Sequence, residues 1–516
     1  MRVLGDIVTR QARMLSGRTA LIDDGASRRY SFAELADRSA RIANALADLG
    51  VRPGDRVAML LGNCTTCAEL PFGITMAGAI MVNVNERLKQ EEVAYILADS
   101  GASVVVTSDD LLGVLDAARD TLPALRHVVT VNGNAPGTID YETMLGAASA
   151  EPPTVEVAAD ATAMLIYTSG TTGRPKGVQL THTNLLASAT NWLMECYTNP
   201  EGVYLACGPY YHSGCISHLA ALMRGMTVVP VPFEAGRVLT LVERYGVTDM
   251  LLVPTMIALL LEREDLLATL DLSTLQGVFY AAAPIPEPVL RRALERFGPI
   301  FVQMYGLTES STLSTILRHH EHSLDDGHGR LASCGREVTL VDVRVGSVEG
   351  GECPPGERGE ILIRGANVTP GYWGRPDATA EAIRDGWLHT GDIGMRDADG
   401  YIYIVDRKTD MIIVGGSNVY PREIEDVLHA HPAVAEASVI GIPHETYGET
   451  VVAVVALHPG QSLTDREVID HCASRLAKFK TPRQVVFVDA LPKTPIGKID
   501  KATLRKRGPE LAGLGA

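Results

Sequence analysis

Residues 164–178 read Met164-Leu165-Ile166-Tyr167-Thr168-Ser169-Gly170-Thr171-Thr172-Gly173-Arg174-Pro175-Lys176-Gly177-Val178, and this stretch decides how the rest of the chain is understood. The apolar run 163–166 predicts a short strand. The Thr, Ser and Gly residues after it offer many backbone N–H groups, several hydroxyls and one ammonium, Lys176, in a small space. Glycine lets a backbone curl towards a ligand with no Cβ in the way. A polyphosphate is the natural guest of such a loop. It is not a Walker A loop, because Pro175 precedes Lys176 and Gly177 follows it, where Gly-Lys-Ser/Thr is required.

The chain has 516 residues, too many for one core, which predicts two or more domains. With 46% hydrophobic and 21% charged residues it has the composition of an ordinary globular protein. A formal charge of −16 argues against a general nucleic-acid or anionic-membrane partner. A protein this acidic must concentrate its positive charge where it holds phosphate. Asp6 and Arg10 interrupt the N-terminus before a signal-like apolar core develops. The apolar stretch 250–261 contains Pro254 and falls short of the ~20 residues that span a bilayer. The last residues carry no prenylation or peroxisomal signal, so a cytoplasmic enzyme without a transmembrane segment is expected. Cys64 and Cys67 form one C-x-x-C with no second pair at zinc spacing, and they read as small buried residues. His319, His320, His322 and His328 lie among Asp, Gly and Arg residues and read as a solvated loop rather than a metal site.

Around the opening stretch the pattern alternates strand and helix. Ser31 caps a helix ending near 49–50, a strand follows Pro53-Gly54, a helix rich in small residues is expected over 68–81, and 104–107 is a buried strand. Thr181 and Asn184 open another helix. Strand-like runs at 203–207, 247–253, 278–280 and 300–305 each end in a turn carrying polar or small residues. The alternation predicts an α/β fold with a doubly wound open sheet. From 335 short strands alternate with Gly/Pro turns, and a compact α+β unit closes the chain.

Stretch 164–178 resembles the phosphate loop of the adenylate-forming superfamily, which includes acyl-CoA synthetases, adenylation domains of peptide synthetases and beetle luciferases. Further stretches resemble the same family in order: 208–214 (Gly-Pro-Tyr-Tyr-His-Ser-Gly), 278–286, 300–310, 386–394, 401–408, 411–421 and 491–500. The resemblance implies a large N-terminal domain over 1–406, with a small β-barrel part at about 335–406, and a mobile C-terminal domain over 407–516. It implies that Thr168, Ser169, Gly170, Thr171, Thr172, Gly173 and Lys176 hold the phosphates of ATP. Ala282, Ala283, Gln303, Tyr305 and Gly306 would surround the adenine, and Thr308 would contact phosphate. Glu309 would hold Mg²⁺, Asp392 the ribose, and Arg407 the ribose or phosphate. Lys498 would bridge the substrate carboxylate and the α-phosphate, and His212 would stand where the carboxylate and thiol paths cross. Asp406 would be the hinge, and Gly415 and Gly416 would line the path of CoA.

Amino-acid-activating relatives carry a carboxylate beside the 208–214 motif to pair with the substrate ammonium. Here Tyr210, Tyr211, His212, Ser213 and Gly214 supply none, and a buried unpaired ammonium is costly. The resemblance therefore implies an AMP-forming acyl-CoA ligase for a plain hydrophobic acid, with ATP and CoA as co-substrates. The acyl pocket would be lined by Tyr211, His212, Val253, Tyr280 and Ala281. A fatty acid is put first and an aryl acid is the alternative, with an acyl-AMP ligase that loads a carrier protein as a rival. A luciferase-like oxygenase would still adenylate. A nucleotide sensor of the same fold would be expected to lose Lys498 or Glu309, and both are present. A homodimer is considered as the assembly.

Overall fold

Two sheets built mainly from parallel strands carry the first two thirds of the chain. The computed structural model describes residues 1–516 except 120–121, 134, 169–173, 197–198, 213, 325–329, 348–349, 415–416, 445–447, 495–497 and 512–516. Among the described residues the first sheet runs, edge to edge, Ile139–Asp140, His127–Val131, Val104–Ser108, Arg56–Leu60, Ile80–Val84, Thr162–Thr168 and Lys176–Thr181. Its strands are parallel until the last, which returns antiparallel to Thr162–Thr168. Val104, Val105 and Val106 are all buried, as expected of a parallel strand covered on both faces.

The second sheet runs Arg336–Glu337, Thr315–Leu317, Phe301–Tyr305, Gly277–Tyr280, Asp249–Leu252, Val203–Ala206, Thr227–Pro230, Thr19–Asp23 and Arg28–Ser31. The inner faces of both sheets share one core. Met59, Met81, Met164 and Ile166 from the first sheet join Tyr204, Ala206, Phe279 and Val302 from the second. Helix Thr65–Met76 belongs to this layer and is buried along nearly its whole length. It starts and stops earlier than expected. Gly78 at φ 72° breaks it, and Ile80 and Met81 belong to the next strand, whose β propensity and burial prevail.

Five antiparallel strands occupy 341–407, in the path Val341–Gly346, Arg358–Gly365, Trp387–Arg396 and Ile383–Arg384, with Ile402–Arg407 also paired to Trp387–Arg396. No closing pair joins Val341–Gly346 to Ile402–Arg407 among the described residues, so a closed barrel is not formed there. Cys334 N–H donates to the Ile402 carbonyl, and Ile402 N–H to Gly335, both at 2.8 Å. Segment 334–335 thus covers the edge that a closing strand would take. The last unit packs helices Pro421–His429 and Asp465–Ala473 on a sheet dominated by the hairpin Val434–His444 and Gly448–Leu457. No helix among the described residues is long and apolar enough to cross a membrane.

Candidate active site

The site is built at the carboxyl ends of neighbouring parallel strands, where an open α/β sheet leaves its crevice. Leu252 pairs in register with Tyr280, and Tyr280 with Gln303. These strands therefore end level, and the turns that follow them meet: Val253, 281–284 and 306–309. The turn 208–212 follows the adjacent strand Val203–Ala206. Gly306 is required where it stands, because a Cβ would lie 2.5 Å from the Thr312 carbonyl oxygen. Thr308–Ser310 is one turn of 3₁₀ helix, with Thr308 buried and Glu309 partly exposed.

The opening stretch is a hairpin. Thr168 pairs with Lys176 across its mouth. Its base is clamped from outside, since Tyr167 donates to Asp99 at 2.8 Å and Tyr95 to the Pro175 carbonyl at 3.0 Å. Arg375 pairs with Asp99, and Trp373 N–H donates to the Gly177 carbonyl at 2.8 Å. The Lys176 ammonium lies 5.2 Å from the centre of the Tyr372 ring. The Tyr372 hydroxyl in turn donates to Glu309 Oε1 at 2.9 Å. Tyr372 therefore ties the phosphate-loop lysine to the acidic residue. Sequence reading passed it by as part of a Gly-Tyr-Trp-Gly turn.

Opposite this hairpin, Tyr305 donates to Asp392 Oδ2 at 2.7 Å, and Arg407 Nε lies 2.6 Å from Asp392 Oδ1. Burial pushes the Asp392 carboxyl up from its ordinary range, while Arg407, Tyr305 and Lys498 oppose that. Burial and the neighbouring Asp392 charge also raise the Tyr305 phenol far out of its ionising range, so it remains a donor. Arg407 feels the charge of Glu309 as well, which links this cluster to the Lys176 side.

Lys498 reaches the same cluster from the last unit. Its turn is clasped by two local bonds, Thr494 N–H to the Lys498 carbonyl at 2.7 Å and Lys498 N–H to Thr494 Oγ1 at 3.2 Å. A bridge pairs Lys493 with Ile499. The residue keeps exposed surface, yet its ammonium lies deep enough among protein that its pKa falls to about 8. Desolvation is the first cause and the Arg407 guanidinium the second, against the pull of Asp392. Its charge is also felt by His212, whose pKa drops to about 4, mainly by burial and then by Lys498. His212 is therefore a neutral imidazole at physiological pH.

The residues expected to line the acyl pocket do not all share a face. Along strand Gly277–Tyr280 side chains alternate. Phe279 and Ala281 pack with the shared core, whereas Val278 and Tyr280 pack with the outer one. Tyr280 is fully buried, with its hydroxyl 3.0 Å from His322 Nε2. It is not placed with Ala281, and we drop it from the pocket. The same contact corrects the histidine stretch. His322 is buried, with its other nitrogen 2.9 Å from the Arg318 carbonyl, so it is a structural residue and not part of a solvated loop. Val253 sits between strand Asp249–Leu252 and helix Pro254–Leu261, half-buried. Ala282 holds φ 74°, a left-handed conformation that favours glycine.

One pair was not foreseen. Tyr211 is 4% exposed; its hydroxyl, and Oε2 of Glu86, are buried without a hydrogen-bond partner. Burial raises the Tyr211 phenol to about 12, and the neighbouring Glu86 charge adds to this. Glu86 follows strand Ile80–Val84, and nothing in its local sequence connects it with residue 211.

Asp406 lies near the end of strand Ile402–Arg407. Its Oδ2 accepts from the N–H of Arg422 at 2.9 Å, in the first turn of helix Pro421–His429, where a carboxylate satisfies a free N–H and suits the helix dipole. Its Oδ1 accepts from Arg407 N–H at 2.7 Å. Ser169, Gly170, Thr171, Thr172, Gly173, Ser213, His328, Gly415 and Gly416 lie outside the described residues. No group of three or more His, Cys, Asp or Glu residues forms a metal cage among the described residues. Mg²⁺ bound with a nucleotide takes one or two carboxylates and fills its remaining positions with phosphate oxygens and water. Glu309 fits that part, held in place by Tyr372.

Known proteins share this fold. The family model described as AMP-binding enzyme matches residues 8–373, and that of the AMP-binding enzyme C-terminal domain matches 423–498. The chain is similar to a feruloyl-CoA synthase of Amycolatopsis sp, 40% identical over 509 residues, 98% of this chain and 99% of the relative. It is similar to the long-chain-fatty-acid–CoA ligase FadD13 of Mycobacterium tuberculosis, 33% identical over 516 residues, with 98% and 99% covered. Its structure resembles the amide bond synthetase McbA from Marinactinospora thermotolerans, with TM-score 0.88, 28% identity, and 98% and 99% of the two chains covered. The chain belongs to the AMP-binding, adenylate-forming family and is an AMP-forming acid–thiol ligase, a CoA ligase with ATP and CoA as its co-substrates.

Proposed function

We propose that the acid is an aryl carboxylic acid with a polar ring substituent, joined to CoA through an acyl-adenylate in the cytoplasm. The observation that carries this reading is the buried pair Tyr211 hydroxyl and Glu86 Oε2, beside the His212 turn and without partners. An alkyl chain would leave both unsatisfied, at about 1–3 kcal/mol each. A ring hydroxyl or methoxy oxygen would satisfy one or both. The greater identity to the feruloyl-CoA synthase, 40% against 33% for FadD13, supports the aryl acid over the fatty acid put first under the family resemblance.

In this reading the carboxylate attacks the α-phosphorus of ATP and pyrophosphate leaves. Two anions must approach, and the chain supplies fixed cations to meet them. Lys498 sits between the two reactants, Lys176 holds the outgoing phosphates, and Arg407 with Asp392 fixes the ribose end. Tyr305, kept neutral, positions the nucleoside. His212 hydrogen-bonds the carboxylate without competing for its charge. Mg²⁺ on Glu309 would balance phosphate oxygens. For the second half-reaction the domain 407–516 turns about Asp406, which requires release of the Arg422 N–H. Lys498 then withdraws and the 415–416 segment brings the CoA thiol to the acyl carbonyl.

The test measures CoA-dependent AMP release with matched acids, such as cinnamic against 4-hydroxycinnamic, and fatty acids of several lengths. A preference of about tenfold or more in kcat/KM for the hydroxylated acid, lost in Glu86→Gln and Tyr211→Phe, is expected. A preference for fatty acids, unchanged by those substitutions, overturns the aryl reading.

A further inference from the structure

The reaction does not use Cys64 and Cys67, yet the structure brings their sulfur atoms to 3.6 Å. Cys64 immediately precedes helix Thr65–Met76, and Cys67 lies in its first turn. Cys64 is partly exposed and Cys67 fully buried. The Cys67 thiol also donates to the Gly62 carbonyl at 3.2 Å. A disulfide needs ~2.05 Å, so closure asks for a shift of roughly 1.5 Å. The Cys64 thiol is held below its ordinary range by its hydrogen bond with Cys67, with help from the N–H groups of Cys67 and Thr66, against its burial. Burial, and then Cys64 itself, raise Cys67. The residue nearer the surface therefore carries the more acidic thiol, and the other is sheltered behind it, the arrangement of an attacking and a resolving cysteine.

The residue before Cys64 links this pair to the acyl side. The Asn63 amide donates to the carbonyls of Ala206 at 3.2 Å, Gly208 at 2.7 Å and Val231 at 3.3 Å. Its oxygen accepts from Tyr210 N–H at 3.1 Å. One side chain thus fixes the start of the turn that carries Tyr211 and His212.

We propose that Cys64 and Cys67 are a hydroperoxide-responsive dithiol whose closure to a disulfide displaces Asn63 and loosens the acyl turn. The Cys64 thiolate attacks the terminal oxygen of a hydroperoxide. The O–O bond breaks, an alcohol or water leaves with the thiol proton, and Cys64 becomes a sulfenic acid. The Cys67 thiol attacks that sulfur, the S–O bond breaks and water leaves. The two thiols lose two electrons and the peroxide gains them. The effect on the acid rests on placing 208–212 at the acyl pocket, but disulfide formation does not.

The experiment treats the full-length reduced enzyme with hydrogen peroxide, alkylates free thiols and maps peptides by mass spectrometry. KM for the acid is measured in parallel by ATP–pyrophosphate exchange. The expected product is a 64–67 disulfide, reversed by dithiothreitol, with KM for the acid raised about tenfold and kcat changed less, since a displacement near 1 Å suffices for such losses. Cys67→Ala is expected to stop at a Cys64 sulfenic acid trapped by dimedone, and Cys64→Ser to give neither product. Mapping of the unmutated enzyme decides the matter even where Cys67→Ala fails to fold. Full alkylation of both thiols after peroxide overturns the dithiol. A mapped disulfide with unchanged KM overturns its coupling to the acyl turn.

Discussion

Lys176 and Lys498 bring the same charge towards one cluster, and the molecule holds them in opposite ways. Lys176 begins a strand, paired with Thr168 across a hairpin whose outer face is clamped by Tyr95, Tyr167, Asp99 and Trp373. Its ammonium rests on the Tyr372 ring. Lys498 stands on a turn of the last unit, held locally by Thr494 and neighboured by Arg407 at the end of strand Ile402–Arg407 and by Asp392 beyond it. A strand residue is placed by its ladder, whereas a turn residue borrowed from another domain is placed by the interface. The first arrangement suits a cation that stays through both half-reactions. The second, incompletely compensated with a pKa near 8, suits one that must leave.

The largest expected effect separates the two by half-reaction. Lys498→Ala should lower acyl-AMP formation about 10²–10³-fold, read by ATP–pyrophosphate exchange, while thioester formation from supplied acyl-AMP persists. Equal loss in both half-reactions would break the comparison. Lys176→Ala should weaken the ATP-dependent step alone, raising KM for ATP about tenfold or more, as loss of one charge-assisted contact does.

Acidity sharpens the contrast. In the proposed reaction Lys498 acts as a cation, and burial lowers its pKa to about 8. The protonated form dominates below that value, and deprotonation removes it above. kcat/KM for adenylation should therefore fall as pH rises past about 8, approaching tenfold per unit. Lys498→Arg should carry that limb beyond reach, because guanidinium does not titrate there. A limb that stays in place would assign it to another group.

A smaller effect concerns the anchor of the fixed side. Tyr372→Phe removes the donor on Glu309 and should cost about threefold to tenfold in adenylation, with more Mg²⁺ needed for half-maximal rate. The smallest concerns strain. Ala282→Gly should leave thermal stability unchanged or raise it by up to about 1 kcal/mol, since an L residue at φ 74° carries a cost that glycine avoids. Ala283→Gly, where φ is not positive, should lose about 0.5–1 kcal/mol instead.

Much of this was legible in residues close together in the chain. The strand at 163–166, the capped helices after Ser31 and Thr181, and the strand before Tyr305 follow from periodicity and capping chemistry, and the structure has them, whereas the return strand Lys176–Thr181 that makes the opening stretch a hairpin was not legible. Adjacent pattern failed where burial overrode it. The small residues of 77–79 read as helix but form a turn, and four histidines read as a surface loop although His322 belongs to a core. Tyr280 and Ala281 read as one pocket wall, and strand alternation sends them to opposite faces.

What the amino-acid order determined alone is the set of chemical groups and the turns that bear them: a phosphate-type loop with one lysine, a polar turn bearing Glu309, a lysine in a Gly-containing turn at 498. Those depend on neighbours a few residues apart, where propensity and spacing act directly. Only the tertiary structure decided which groups meet. Tyr372 reaches Glu309 across 63 positions and Tyr305 reaches Asp392 across 87. The Asn63 amide holds a turn about 145 residues away, and the Tyr211 phenol feels the charge of Glu86. Such encounters are set by sheet register and by packing of two sheets on one core, and no local pattern records them.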